Sequence, residues 1–144
     1  MPEKHVEVLL MDDDPGDIRL MRESLKKSKF LIDMKTVENG QLGLDYLRKT
    51  GQYANASTPD FILLDLNMPI KDGREVLREI KSDDQLKIIP VIILTTSEEE
   101  KDIIESYSDG ANCYIRKPVD FEQFQSVVNQ ISNFWFSLVK LPKQ

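Results

Sequence analysis

Short apolar runs alternate along the chain with longer segments whose apolar residues recur at helical spacing. The runs cover residues 6–11, 61–64, 91–94 and 113–115, with a weaker one at 32–37. Short runs that are apolar at odd and even positions alike predict strands of a parallel sheet covered on both faces. The helical stripes between them are Ile18, Met21 and Leu25; Leu44 and Leu47; Val76, Leu77 and Ile80; and Ile103, Ile104 and Tyr107. A last helix carries Phe124, Val127, Val128, Ile131, Phe134, Trp135 and Leu138. Pro15 suits a first helical turn, Gly51 a helix end, and Pro90 the entry to a strand. Five strand–helix units in series predict a doubly wound α/β fold with right-handed crossovers. Residues 50–59 form a polar loop between two of these units.

Composition narrows the function. The 144 residues are 40% hydrophobic and 31% charged, a globular mix that excludes a disordered chain. A net charge of −6 argues against nucleic acid as a direct ligand, because neutralising phosphates needs a basic surface. Cys113 is the only cysteine, so no internal disulfide forms. No apolar run approaches the length of a membrane span, and the N-terminus lacks a signal-peptide pattern. The expectation is one cytoplasmic domain over residues 1–144, with no membrane association.

In an open α/β sheet, chemistry gathers at the carboxyl ends of the strands. There the sequence places Asp12-Asp13-Asp14-Pro15, then Asp65-Leu66-Asn67-Met68-Pro69, then Thr95-Thr96-Ser97, then Arg116-Lys117-Pro118. Taken singly, each is ordinary turn or cap chemistry, and Asp14 before Pro15 reads as a helix cap. Taken together, they put several carboxylates, hydroxyls and one ammonium on one edge. Crowded carboxylates are costly unless a cation sits among them, and hard oxygen ligands suit Mg²⁺. Lys117 and Thr95 add a positive charge and a hydroxyl donor. Such a set suits phosphoryl transfer, with aspartate as nucleophile.

The Asp12-Asp13 pair, Asp65 followed by Met68-Pro69 and Gly73, Thr95, and Lys117-Pro118 together resemble the receiver domain of two-component response regulators. The resemblance runs over residues 6–136. It implies a CheY-like, flavodoxin-like five-stranded parallel sheet in the order 2-1-3-4-5. It further implies that Asp65 accepts a phosphoryl group from the phosphohistidine of a sensor histidine kinase. Asp13 would bind Mg²⁺ directly, Asp12 through water, and Asn67 through its backbone carbonyl. Thr95 would be the switch hydroxyl, Lys117 the bridge to the phosphoryl group, and Tyr114 the rotating aromatic; the Lys117–Pro118 peptide would be cis. Asn67 and Ser97 fall where the family varies its dephosphorylation rate, and Thr96 is bulkier than the family's usual residue. With the chain ending at Gln144, the resemblance is to stand-alone receivers without an output domain.

More narrowly, the loop at 50–59, Leu94-Thr95-Thr96-Ser97, Ser106-Tyr107, Ala111-Asn112-Cys113-Tyr114 and Phe134-Trp135-Phe136 with Leu141-Pro142 resemble regulators paired with phytochrome-type sensor kinases. A Mg²⁺-dependent phosphatase with an Asp nucleophile is the enzyme alternative, but it needs an acid two residues on, where this chain has Asn67. A degenerate receiver acting as a phosphate-independent binding module is the other, but it would have lost Asp13, Asp65, Thr95 or Lys117. The expected role is therefore a signalling phosphoacceptor rather than an enzyme.

The remaining features read structurally. His5 precedes the first strand as a surface residue, Cys113 is a strand thiol, and Glu98, Glu99 and Glu100 complement a helix N-terminus. The last helix carries more apolar surface than one core-facing stripe requires. Phe134, Trp135, Phe136 and Leu138, with Val139 and Leu141, either cap the bottom of the core or, the reading favoured here, form a homodimer interface.

Overall fold

The computed structural model describes residues 5–26, 31–96 and 99–117, with Glu122 and Ser126. The strands are β1 (His5–Met11), β2 (Leu31–Val37), β3 (Phe61–Leu64), β4 (Val91–Thr95) and β5 (Cys113–Arg116). They form one parallel sheet in the order β2-β1-β3-β4-β5, as the resemblance implied. The intervening helices are α1 (Pro15–Lys26), α2 (Gly40–Arg48), α3 (Gly73–Ser82) and α4 (Glu100–Ser108).

Strand residues alternate between two cores. Leu9, Met11, Ile62, Leu64, Val91 and Ile93 pack with Leu44 and Leu47 of α2 and Val76, Leu77 and Ile80 of α3. Val6, Val8, Leu10, Phe61, Leu63, Ile92 and Leu94 pack with Met21 of α1. Both faces are covered, which is why the strands read as continuous apolar runs.

Local chemistry sets the helix ends. The Asp14 carboxylate accepts from the N–H groups of Gly16 (2.8 Å) and Asp17 (3.4 Å), capping α1 just ahead of Pro15. Asn39 caps α2 and Asp72 caps α3 in the same way. The stop expected at Gly51 comes two residues early. Lys49 adopts the left-handed conformation (φ 57°), and its N–H returns to the last turn of α2. Gly51 instead opens a 3-10 turn (Gly51–Tyr53). That turn brings the Tyr53 ring to 5.2 Å from Tyr46, so the polar loop is anchored on α2.

The stripe expected on α4 is also corrected. Asp102 and Ser106 are buried there, whereas Ile104 and Tyr107 are exposed and Ile103 is half-buried. A polar contact decides the helix's phase. Arg74 at the start of α3 donates to both oxygens of Asp102, from Nε at 2.9 Å and Nη2 at 2.7 Å. A carboxylate matched by a two-pronged guanidinium can be buried. The Tyr107 hydroxyl, meanwhile, accepts from the N–H of Tyr114.

One loop is strained. Ile70, between β3 and α3, has φ 68°, a left-handed conformation that costs an L-residue about 1–2 kcal/mol.

Candidate functional site

Strand register builds the site. Met11 pairs with Leu64, so Asp12 and Asp65 leave adjacent strands at the same level. The N–H of Asp65 donates to the Met11 carbonyl, and that of Asp12 to the Val37 carbonyl, which extends the ladder one residue past each strand. Thr95 pairs with Arg116, and the N–H of Lys117 then donates to the Thr95 carbonyl at 2.6 Å. The Lys117 side chain is thereby aimed along the sheet edge. Its Nζ donates to Asp12 at 2.7 Å, to Asp65 at 2.9 Å and to Asp17 at 2.7 Å.

Charge at this edge is unbalanced. Lys117, Asp12 and Asp65 are buried, while Asp13 is exposed. Burial would strip the Lys117 ammonium of its proton, but hydrogen bonds to Asp12 and Asp17 and the charge of Asp65 outweigh it. Lys117 is held cationic, with its pKa raised. Burial drives the Asp12 pKa upward, and the neighbouring Asp65 charge adds to this; the bonds from Lys117 and the Asp14 N–H offset it only in part. The two directions agree physically. The ammonium has three carboxylates, and each carboxylate has a share of one ammonium.

Asp12, Asp13 and Asp65 each offer an oxygen, all within 4.8 Å of one another. An acidic pocket of hard donors with excess negative charge fits a divalent cation of the Mg²⁺ or Mn²⁺ kind. Nearby backbone is fixed from both sides. The Asn67 N–H donates to the Asp65 carboxylate at 3.1 Å. Gly73 lies against the Asp65 backbone so closely that a Cβ there would collide with its carbonyl oxygen.

The structure thus brings together Asp12, Asp13, Asp65, Asn67, Thr95 and Lys117 on one edge. Thr95 is fully buried at the end of β4, and Tyr114 is half-buried against the core beneath α2 and α3. Asp17 is a member that sequence reading missed. It lies 100 residues from Lys117, and its first-turn position on α1 reads as a helix-dipole partner. The Lys117–Pro118 peptide, Ser97, and Phe134, Trp135, Phe136 and Leu138 lie outside the described residues.

A five-stranded sheet in this order with this acidic edge defines a phosphate-handling signalling class. The chain belongs to the response regulator receiver domain family, whose profile matches residues 8–129. It is 43% identical to "Response regulator Rcp1" of Synechocystis sp. over 94% of this chain and 92% of that protein. Among solved structures it resembles a phosphorylated cyanobacterial phytochrome response regulator, RcpA, with TM-score 0.93 and 50% identity, covering 96% of this chain and 99% of that one. It also resembles the Mn²⁺-bound form of Rcp1, with TM-score 0.91 and 42% identity over the same shares. Among the described residues, no helix is long and apolar enough to cross a membrane.

Proposed function

We propose that this chain is a phosphoacceptor switch of the phytochrome type, taking a phosphoryl group on Asp65 from a sensor histidine kinase. The observation that carries the reading is the buried Lys117 ammonium bridging Asp12 and Asp65 at the sheet edge. An Asp65 oxygen attacks phosphorus, the bond from phosphorus to the donor's imidazole nitrogen breaks, and the imidazole leaves with the bond's electron pair. Lys117 then turns its ammonium from carboxylate to phosphoryl oxygen. The Thr95 hydroxyl donates to another phosphoryl oxygen, and the space it leaves is filled by the Tyr114 ring. Phosphorylation adds nearly two negative charges, enough to bias two states that differ by a few kcal/mol.

Asp12, Asp13, Asp65 and the Asn67 carbonyl would hold Mg²⁺, which when bound neutralises charge on the carboxylates and the phosphoryl oxygens. The relatives' names support a phytochrome-type kinase as donor, since RcpA is described as a phytochrome response regulator. A cytoplasmic location and homodimerisation through Phe134, Trp135, Phe136 and Leu138 complete the proposal.

Intact-mass analysis after incubation with acetyl phosphate tests it. One phosphoryl group, about 80 Da, should appear only with Mg²⁺ present and vanish in Asp65→Asn, which keeps the shape but removes the nucleophile. Labelling that survives in Asp65→Asn would overturn the assignment. Light scattering of the wild type and Phe136→Ser, with and without phosphorylation, tests the dimer. A monomer under every condition removes that part of the proposal.

A further inference from the structure

We propose that Lys81 is a modification site, an amine held as a nucleophile at the amino end of β4 and open to acylation by small acyl phosphates. The inference stands apart from the Asp65 reading and concerns the opposite edge of the sheet.

Lys81 is the penultimate residue of α3 and is half-buried. Its Nζ donates to two backbone carbonyls of the loop that leads into β4, Lys87 at 3.0 Å and Ile89 at 2.8 Å. The first of these bonds lies at the surface and the second is partly buried. The stem is held from the side of α4. Gly110, in the turn before β5, packs so closely that a Cβ there would lie 2.8 Å from Lys81 Cγ.

Among the described residues, no carboxylate pairs with this amine. The acids on the adjoining loops are committed elsewhere: Asp83 to Arg48 at 3.9 Å, Asp84 to Lys87 at 3.1 Å, and Asp109 to Arg78 at 3.4 Å. Burial therefore acts unopposed and pushes the Lys81 ammonium below its ordinary value. Lys117 is the contrast, since it is also buried but three carboxylates hold it cationic.

The two carbonyls suit the neutral amine. It has two N–H groups and one lone pair. With both N–H groups given to Lys87 and Ile89, the lone pair is left free of the backbone. The third N–H of an ammonium finds no further acceptor among the described residues. A desolvated lysine without a counter-ion is a nucleophile at neutral pH.

The electrophile follows from that nucleophile. Acetyl phosphate presents two centres: phosphorus, which a carboxylate oxygen attacks, and the carbonyl carbon, which a neutral amine attacks. At Lys81 the nitrogen–carbon bond forms and the bond from carbon to the phosphate oxygen breaks. Phosphate leaves with that electron pair, and the surplus proton on nitrogen passes to water. The amide product keeps a single N–H, so one of the two loop carbonyls loses its donor.

Incubation of the full chain with acetyl phosphate, followed by peptide mapping, tests the inference. An acetyl group adds about 42 Da and is distinct from a phosphoryl group at about 80 Da. Acetylation should reach Lys81 at least about fivefold faster than exposed Lys26 and Lys35, with or without Mg²⁺, and should spare Lys117 over the same time. Lys81→Arg keeps donors for both carbonyls but has no nucleophile, and should lose this adduct. The acetylated wild type should melt about 2–4 °C lower than the unmodified chain. Acetylation of Lys81 no faster than of Lys26 and Lys35 overturns the inference. So does a preference for Lys81 that persists in the urea-unfolded chain, because it would owe nothing to the fold. Acetylation at Lys81 in a wild type that gains no phosphoryl group would support this inference and defeat the Asp65 reading.

Discussion

The α3–α4 junction and the carboxyl edge of the sheet each bury a carboxylate, and they do so in opposite ways. At the junction, Asp102 is 6% exposed and receives two bonds from a guanidinium of its own. Asp72 adds a further contact to Arg74 at 3.1 Å, and Asp102 holds that guanidinium firmly cationic. At the sheet edge, Asp12 is 1% exposed and shares one ammonium with Asp17 and Asp65. The matched pair fixes a helix in place. The unmatched cluster leaves negative charge that a divalent cation would relieve, and in the proposed transfer its ammonium would be drawn to the phosphoryl group. Uncompensated charge is unfavourable for folding and is kept where the chemistry uses it.

Removing a carboxylate should therefore have opposite signs in the two regions. The largest effect belongs to the junction. Asp102→Ala strands a partly buried guanidinium and should cost about 1–3 kcal/mol, read as a lower urea midpoint with an unchanged slope. Arg74→Ala should cost a similar amount. The double variant should cost less than the two losses added, because neither partner is then left behind. Strict additivity would show that the pair is not coupled.

Asp12→Asn should stabilise, by less than Asp102→Ala destabilises. The folded protein raises the Asp12 pKa above its ordinary 3.8, so folding disfavours the ionised form. Stability is then lost as pH rises from 3.8 through the folded value. The gain from asparagine should be absent below 3.8 and grow as pH rises above it, as urea midpoints measured across that range would report. A loss of stability at pH 7 would mean that Lys117 compensates Asp12 fully, and the contrast between the regions would fail.

Mg²⁺ sharpens the contrast further. Millimolar Mg²⁺ should raise the wild-type melting temperature, since it binds the folded acidic edge in preference to the unfolded chain. The rise should shrink in Asp13→Asn and persist in Asp102→Ala. A melt indifferent to Mg²⁺ in the wild type would remove the metal site from the account.

These contrasts follow what the sequence shows and what it hides. β3 and β4 are legible because both their faces are apolar, and Asp12, Asp65, Thr95 and Lys117 stand out because they interrupt or end such runs. The phase of α4 is not legible. Its apolar residues suggest a stripe, but Asp102 turns inward because Arg74 waits for it 28 residues upstream. Asp17 is hidden for the same reason, as its partner lies just past the end of the far strand. Local pattern reports what a residue prefers, whereas a charged residue's burial depends on a partner that only the fold supplies.

The smallest effect tests that account of α4. If the Arg74–Asp102 pair sets the helix's phase, the apolar residues on its outer face contribute little to folding. Ile104 is 57% exposed, so its side chain gives up little contact with water when the chain folds. Ile104→Ser should then change stability by no more than about 0.5 kcal/mol in either direction, the usual range for a surface position. Serine's weaker helix propensity adds at most a few tenths of a kcal/mol to that. A stability lowered by about 2 kcal/mol or more, read from the shift in urea midpoint, would have a different meaning. It would show Ile104 buried in solution, with α4 rotated to the stripe that its sequence suggests and Asp102 turned out toward water.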